Sequence, residues 1–276
     1  MSAAIDSWVD GVRGETLPAD DRGLHYGDGL FESIGVRGGV ARFLEAHLAR
    51  LASGCARLGI RFSSMAELRA EIAAALALAP PRAMLKIIVT RGSAMRRGYA
   101  PQGTESARRL MSLWPEAALP TSVAEGVALH RATFTLADNP TLAGIKHLSR
   151  IENVMAAGEV AASGAFEALL LDGSGHVISG AMSNVFLVRD GQVLTPRLDR
   201  CGVAGVMRGV VLRECASLGI TAEDRRVTLD ALLAADEAFI TNARLGVVPV
   251  LRVGEHSFHM TAVARRLGAH IETLDA

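Results

Sequence analysis

NPTLAGIKHLSRIEN, residues 139–153, is the stretch around which the rest of the chain is organised. It sets Lys146 on an apolar flank, between Gly144-Ile145 and His147-Leu148, just ahead of a segment with helical spacing. Ile151, Val154, Met155 and Ala162 fall on one side of that helix. Lysine is scarce in this chain. Lys86 and Lys146 are the only two, and the other 27 of the 29 basic residues are arginines. A lysine so placed has two readings. One is a surface residue whose stem lies along apolar neighbours while its ammonium reaches water. The other is an amine whose pKa burial lowers, ready to form a Schiff base with a carbonyl.

Upstream, the pattern is that of an α+β unit. Trp8-Val9 before Asp10-Gly11 reads as a strand and tight turn. ADDRGLHYGDGLFES (19–33) reads as a polar stretch dense in glycine and aspartate. Leu44, Leu48, Leu51, Cys55 and Leu58 keep helical spacing, as do Leu68, Ile72 and Leu76, and Pro80-Pro81 ends the second helix. Residues 84–92 and 109–114 read as strands. Composition shifts near Trp114-Pro115 and Leu119-Pro120, which places a small N-terminal domain at 1–118, a linker at 119–126 and a larger C-terminal domain at 127–276.

Downstream, a strand at 127–135, a loop at 137–146 and a helix at 149–162 lead into hairpins at 168–178 and 184–196. A helix at 204–217, strands near 222–227, 237–241 and 247–253, and a helix at 260–270 follow. So many hairpins predict a mainly antiparallel, barrel-like second domain.

Composition narrows the function. Half of the 276 residues are apolar, enough for a sizeable core, which excludes a disordered chain. Lys plus Arg and Asp plus Glu are 29 each, so the basic surplus that nucleic-acid binding exploits is missing. No apolar run reaches the roughly 18–20 residues that span a bilayer, and the N-terminus lacks the basic start of a signal peptide. Cys55, Cys201 and Cys215 form no paired or metal-binding spacing, which fits a reducing cytoplasm. His256 and His259 have neither ligand spacing nor carboxylate company, so no metal is expected.

CGVAGVMRG (201–209) puts glycines at the start of a predicted helix, where free amides and the positive end of the helix dipole favour a phosphate. It is not a Walker loop, and ordinary loop-to-helix geometry explains it equally well. Arg50 on a helix and Arg91 after a strand could each meet an anion or a surface carboxylate.

In this order, the strings DRGLHYGDGLFES (21–33), RGSAMRRGY (91–99), NPTLAGIKHLSRIEN (139–153), SNVF (183–186), TPRLDRCGVAGVMR (195–208) and FITNA (239–243) resemble the fold-type IV pyridoxal-phosphate enzymes over nearly the whole chain. That family includes branched-chain and D-amino acid aminotransferases and aminodeoxychorismate lyases, and the AGIKHL string is most similar to the lyases. The resemblance implies a two-domain fold and pyridoxal 5'-phosphate bound as a Schiff base to Lys146. It implies a phosphate held by Arg50 with the amides of Val206 and Met207, and cofactor contacts from Asn184 and Asn242. It also implies a homodimer and a small-molecule substrate. The expected activity is conversion of 4-amino-4-deoxychorismate to 4-aminobenzoate and pyruvate. Two carboxylates on that substrate call for cations, with Arg91, Arg97 and Arg244 as candidates and Tyr26 and Tyr99 beside them in Gly-rich loops.

One position departs from the family pattern. Where these enzymes carry a glutamate against the pyridine nitrogen, five residues before Asn184, this chain has Ser179. A hydroxyl can hydrogen-bond that nitrogen but cannot hold its proton electrostatically. Aminotransferase chemistry needs a stronger electron sink than a lyase step driven by aromatisation, so an aminotransferase is the second reading. A catalytically impaired cofactor-binding protein is the third.

Overall fold

The computed structural model describes residues 4–62, 65–94, 96 and 98–274, and the chain divides into two compact units. The first comprises the residues up to Ala118 together with Ile145–Ser149. Its elements are β1 (Asp6–Val9), β2 (Val12–Arg13), α1 (Arg22–Tyr26), β3 (Gly29–Arg37), β4 (Val40–Ala41), α2 (Leu44–Leu58), α3 (Met65–Leu76), β5 (Arg82–Thr90) and β6 (Arg108–Pro115). The six strands form one antiparallel sheet in the order β2-β1-β6-β5-β3-β4.

The polar 19–33 stretch is more structured than its composition predicts. Asp21 caps α1 by accepting from the Gly23 amide at 2.7 Å, and Gly27 closes the helix in the left-handed region. From Gly29 onward the chain is strand. Period-2 alternation sends Leu30, Glu32, Ile34 and Val36 inward and leaves Phe31 and Ser33 part-exposed. The glycines on either side hid that alternation from composition-based reading. On the buried side, α2 contributes His47, Leu48, Leu51 and Cys55 to the core.

The fragment Ile145–Ser149 completes this unit. The Phe31 amide donates to the Lys146 carbonyl at 3.1 Å, and the Leu148 amide donates to the Gly29 carbonyl at 3.0 Å. Leu30 and His147 thereby form an isolated antiparallel bridge. The approach is close enough to require glycine. A Cβ at position 29 would lie 2.5 Å from the Val89 carbonyl oxygen and 2.8 Å from Leu148 Cδ1.

The second unit comprises Leu119–Gly144 and the residues from Arg150 on. It contains α4 (Thr121–Glu125), β7 (Val127–Leu136), α5 (Ile151–Ser163), β8 (Glu167–Asp172), β9 (His176–Ser179), β10 (Asn184–Arg189), β11 (Gln192–Pro196), α6 (Val206–Ser217), β12 (Ala222–Arg225), β13 (Val227–Thr228), α7 (Leu229–Leu233), β14 (Glu237–Asn242), β15 (Gly246–Val253), β16 (His256–Ser257) and α8 (Ala262–Glu272). The segment read as a linker holds α4, with Val123 buried.

The strands run β12-β11-β10-β14-β15-β7-β8-β9-β13, with β16 added to β15. The two ends of that path, β12 and β13, are separated in sequence by Arg226 alone, so the sheet curls back on itself in a barrel-like form. Most pairings are antiparallel, as the hairpins predict, but β7 with β8, β7 with β15 and β11 with β12 are parallel. Phe186 and Phe239, register partners on β10 and β14, stack 4.8 Å apart and are fully buried.

Gly29→Ala is expected to destabilise the protein by about 1–3 kcal/mol, the usual range for overpacking against backbone. Thermal unfolding monitored by circular dichroism checks this, and an unchanged midpoint would show that the 145–149 fragment is not seated against β3.

Candidate active site

In the first unit the site is built around Lys146. The backbone bonds to β3 fix its main chain, and its Nζ lies 4.2 Å from the centroid of the Phe31 ring. That is cation–π range, and the face of the ring stands against the amine.

On the buried side of β3 is a polar trio of which sequence reading named only Arg50. Glu32, 1% exposed, accepts from Arg50 Nε at 2.8 Å and from Arg50 Nη2, and its Oε2 lies 2.7 Å from His47 Nδ1. The signal was available. A glutamate in an apolar strand and a His-x-x-Arg pair on one helix face both require partners. Burial pushes the Glu32 carboxyl upward, but the bonds from Arg50 and His47 outweigh it and hold its pKa below the ordinary value. Burial depresses the His47 pKa against the pull of Glu32. The neutral ring then donates from Nδ1 to Glu32, leaving Nε2 buried and without a hydrogen-bond partner among the described residues. Arg50, the expected phosphate ligand, is therefore oriented by two hydrogen bonds to a carboxylate.

Arg91, a candidate substrate ligand, is bonded within the first unit. Its Nε donates to Asp28 at 2.8 Å and its two terminal nitrogens to the carbonyls of Gly59 and Leu58, so it closes the C-terminus of α2. Asp28 also accepts from Arg22, which is 3% exposed and which donates to the carbonyls of Gly98 and Tyr99. Burial opposes ionisation of Asp28, but hydrogen bonds from Arg91 and Arg22 keep its pKa below the usual value. Tyr26 and Tyr99 pair with ring centroids 5.2 Å apart, and the Arg22 guanidinium lies 5.0 Å from the Tyr26 ring. Arg97 lies outside the described residues.

In the second unit, α6 begins at Gly205 with no side-chain cap, leaving first-turn amides for an external acceptor. Val206 and Met207, the expected phosphate ligands, start this 12-residue helix. The loop before it is set by Asn184, whose Oδ1 accepts from Gly205 N at 3.1 Å and whose Nδ2 donates to the Val203 carbonyl at 2.9 Å. A Cβ at position 205 would collide with the Asn184 side chain, so glycine is required there. Gly144 bonds to the same loop, donating to Gly202 O and accepting from Ala204 N.

Ser179 ends β9 at 6% exposure, and its hydroxyl has no hydrogen-bond partner among the described residues. The turn after it is held by Glu167, which accepts from Ala181 N, Met182 N and Ser183 Oγ, each at 3.0 Å. Burial raises the Glu167 pKa against those bonds. Asn242 Nδ2 donates to the Met182 carbonyl at 3.3 Å, and its Oδ1 accepts from the amides of Arg244 and Leu245. Asn242 thus shapes this loop, and Arg244 sits within it. Among the described residues, no group of histidine, cysteine and carboxylate side chains is arranged to hold a metal.

Each unit by itself carries features that suit a phosphorylated aldehyde cofactor: in the first an amine at an aromatic ring and a buttressed arginine, in the second a helix start without a side-chain cap and a hydroxyl with no partner among the described residues. Comparison with known proteins agrees. The family model for class IV amino-transferases matches residues 29–253. An aminodeoxychorismate lyase from Vibrio harveyi is 35% identical over 271 residues, covering 96% of this chain and 99% of the relative. A D-alanine aminotransferase from Bacillus licheniformis is 33% identical, covering 85% of this chain and 82% of the relative. The crystal structure of 4-amino-4-deoxychorismate lyase from Pseudomonas aeruginosa superposes with a TM-score of 0.92 at 43% identity, covering 98% of this chain and 100% of that one.

The trio predicts a pH dependence. The folded state resists the proton that an unfolded His47 accepts near its ordinary value of 6.5. That stability is complete above pH 6.5 and is lost as pH falls below it. The Glu32 contribution persists to lower pH and is lost only below its ordinary 4.5. Thermal melts of wild type and His47→Asn should diverge in slope between pH 6.5 and 5. Parallel profiles would place the acid lability elsewhere.

Proposed function

The chain belongs to the class IV amino-transferase family, and from that membership we propose that it is a pyridoxal-phosphate-dependent aminodeoxychorismate lyase. It converts 4-amino-4-deoxychorismate to 4-aminobenzoate and pyruvate, a step toward folate. The observation that carries this reading is Lys146, held by backbone bonds to β3 with its amine at the Phe31 ring. When bound, the cofactor forms a Schiff base with an amine and withdraws electrons from the adjoining carbon.

Every remaining role belongs to the chain. Lys146 would hold the cofactor through its Nζ. With substrate in place, that Nζ would take the proton from the amine-bearing ring carbon as the neighbouring carbon expels enolpyruvate and the ring becomes aromatic. Lys146 returns the proton to the pyruvate methylene carbon, acting as base and then acid. Arg50, buttressed by Glu32, and the α6 amides of Val206 and Met207 bind the phosphate. Asn184 holds the loop before α6, Asn242 the loop after β14, and Ser179 offers its hydroxyl to the pyridine nitrogen.

Ser179 is also what separates this reading from the aminotransferase one. Aromatisation supplies driving force in the bond-breaking step, so less charge needs stabilising on the ring than in amino-group transfer. A cofactor-binding protein without turnover is disfavoured by the intact lysine and phosphate sites.

Two coarser assignments complete the proposal. The protein acts as a homodimer through α5, where Ile151, Val154 and Met155 are 68%, 63% and 53% exposed on one face. It works in the cytoplasm, where its three unpaired buried cysteines remain reduced.

Borohydride treatment of the purified protein should fix the cofactor onto the peptide containing Lys146. Lys146→Ala should lose about 10²–10⁴-fold of pyruvate release from 4-amino-4-deoxychorismate. A protein that takes up no pyridoxal phosphate would overturn the reading. Ser179→Glu should raise amino-group transfer to 2-oxo acids with little gain in pyruvate release; a large gain in the lyase rate would show that the missing carboxylate limits the reaction.

A further inference from the structure

Ser179 is the last residue of β9, and its main chain is held by the sheet on one side only, opposite Leu170 of β8. Beyond it the chain leaves the sheet through residues 180–183. We propose that Glu167 is a positioning residue for Ser179: its carboxylate holds the turn that follows Ser179 and so fixes where the hydroxyl stands. The assignment rests on the reading of Ser179 as the group beside the pyridine nitrogen of the cofactor.

The geometry is that of a carboxylate used to its full capacity. Glu167 begins β8 and is 1% exposed. Its Oε1 accepts from Ala168 N at 2.8 Å and from Ala181 N at 3.0 Å. Its Oε2 accepts from Met182 N and from Ser183 Oγ, each at 3.0 Å. Two donors on each oxygen fill the roughly four acceptor sites that a carboxylate has. The turn itself closes through Gly180 N, which donates to Ser183 O at 2.8 Å. Glycine at 180 lets the carboxylate in, because a Cβ there would lie 2.9 Å from Glu167 Cδ and would collide with Ser183 Oγ.

The carbonyls of the turn are held by other residues. Asn153 of α5 donates to Ala181 O at 2.8 Å, and Asn242 donates to Met182 O at 3.3 Å. Glu167 alone holds the amide side. All four of its donors are neutral, and it makes no ion pair among the described residues. A carboxylate buried without a cation is costly. Two adjacent amides and a hydroxyl require it, because they need an acceptor that carries no hydrogens. A glutamine would supply one oxygen and turn an NH2 group against the remaining donors. Loss of the carboxylate therefore releases the amide side of the turn, the part joined directly to Ser179.

The test is a double-mutant cycle of wild type, Glu167→Gln, Ser179→Ala and the double variant. Each is titrated with pyridoxal phosphate while the absorption spectrum is recorded, and each cofactor-free protein is followed by amide hydrogen exchange. Ser179→Ala should raise the cofactor Kd about tenfold, the loss of one hydrogen bond, and shift the absorption band of the bound cofactor. Glu167→Gln should give the same band shift and a similar rise in Kd, with faster exchange at Ala181 and Met182. In the Ser179→Ala background it should add less than about twofold, since residues acting as one unit are not additive. Losses that multiply to about a hundredfold overturn the proposal, as does a Glu167→Gln protein with wild-type Kd and band. If Glu167→Gln fails to fold, Ser183→Ala, which removes one of the four bonds, is read by the same criteria. No substrate enters these titrations, so they stand apart from the choice of reaction. A wild-type protein that takes up no pyridoxal phosphate overturns the cofactor reading itself, and this inference falls with it.

Discussion

Two backbone hydrogen bonds govern the first unit: Phe31 N to Lys146 O, and Leu148 N to Gly29 O. A lysine side chain has four rotatable bonds and costs roughly 2 kcal/mol of rotamer entropy to immobilise. Fixing its main chain against a buried sheet removes part of that disorder beforehand. The same segment is tied at Gly144, which bonds on both sides to the loop leading into α6. Glycines at 29 and 205 are consequences of that arrangement, since a side chain at either place would separate the surfaces that define it.

What could be read from the sequence follows the range of the interactions involved. α2 was legible because Leu48, Leu51 and Cys55 recur on one helix face. The hairpins were legible because a turn marks each, and the start of α6 because glycines surround it. β3 was not, because its alternation starts inside a glycine-rich segment and its inward positions include a glutamate. Glu32 is tolerated there only because His47 and Arg50, fifteen and eighteen residues later, return to satisfy it. The parallel pairings of β7 were equally hidden, since nothing local distinguishes a strand paired with its sequence neighbour from one paired with a distant partner. In the site, Lys146 stood out by its scarcity. The ties of Arg91 to Asp28 and to the end of α2 were not legible, because a loop arginine looks the same whether it awaits an anion or holds a helix end.

The polar interior beneath Phe31 has a consistent charge balance. Arg50 brings one positive charge and Glu32 one negative, while burial keeps His47 neutral. A second cation there would leave net charge in a low-dielectric interior, which is costly. The Lys146 amine itself disfavours protonation of His47. The trio therefore orients Arg50 while its own charges sum to zero.

The division between arginine and lysine then acquires a chemical sense. Arginine stays charged at any relevant pH and presents a planar fork of donors, so it suits permanent ties such as Arg22 and Arg91 to Asp28 and to nearby carbonyls. Lysine can lose its proton and can swing on its stem. A residue that must bond to a carbonyl, let go, remove a proton and give one back requires both properties. A composition that gives nearly every structural cation to arginine leaves lysine where exchange is needed. Lys146, one of only two lysines in the chain, meets that requirement through proton and bond exchange.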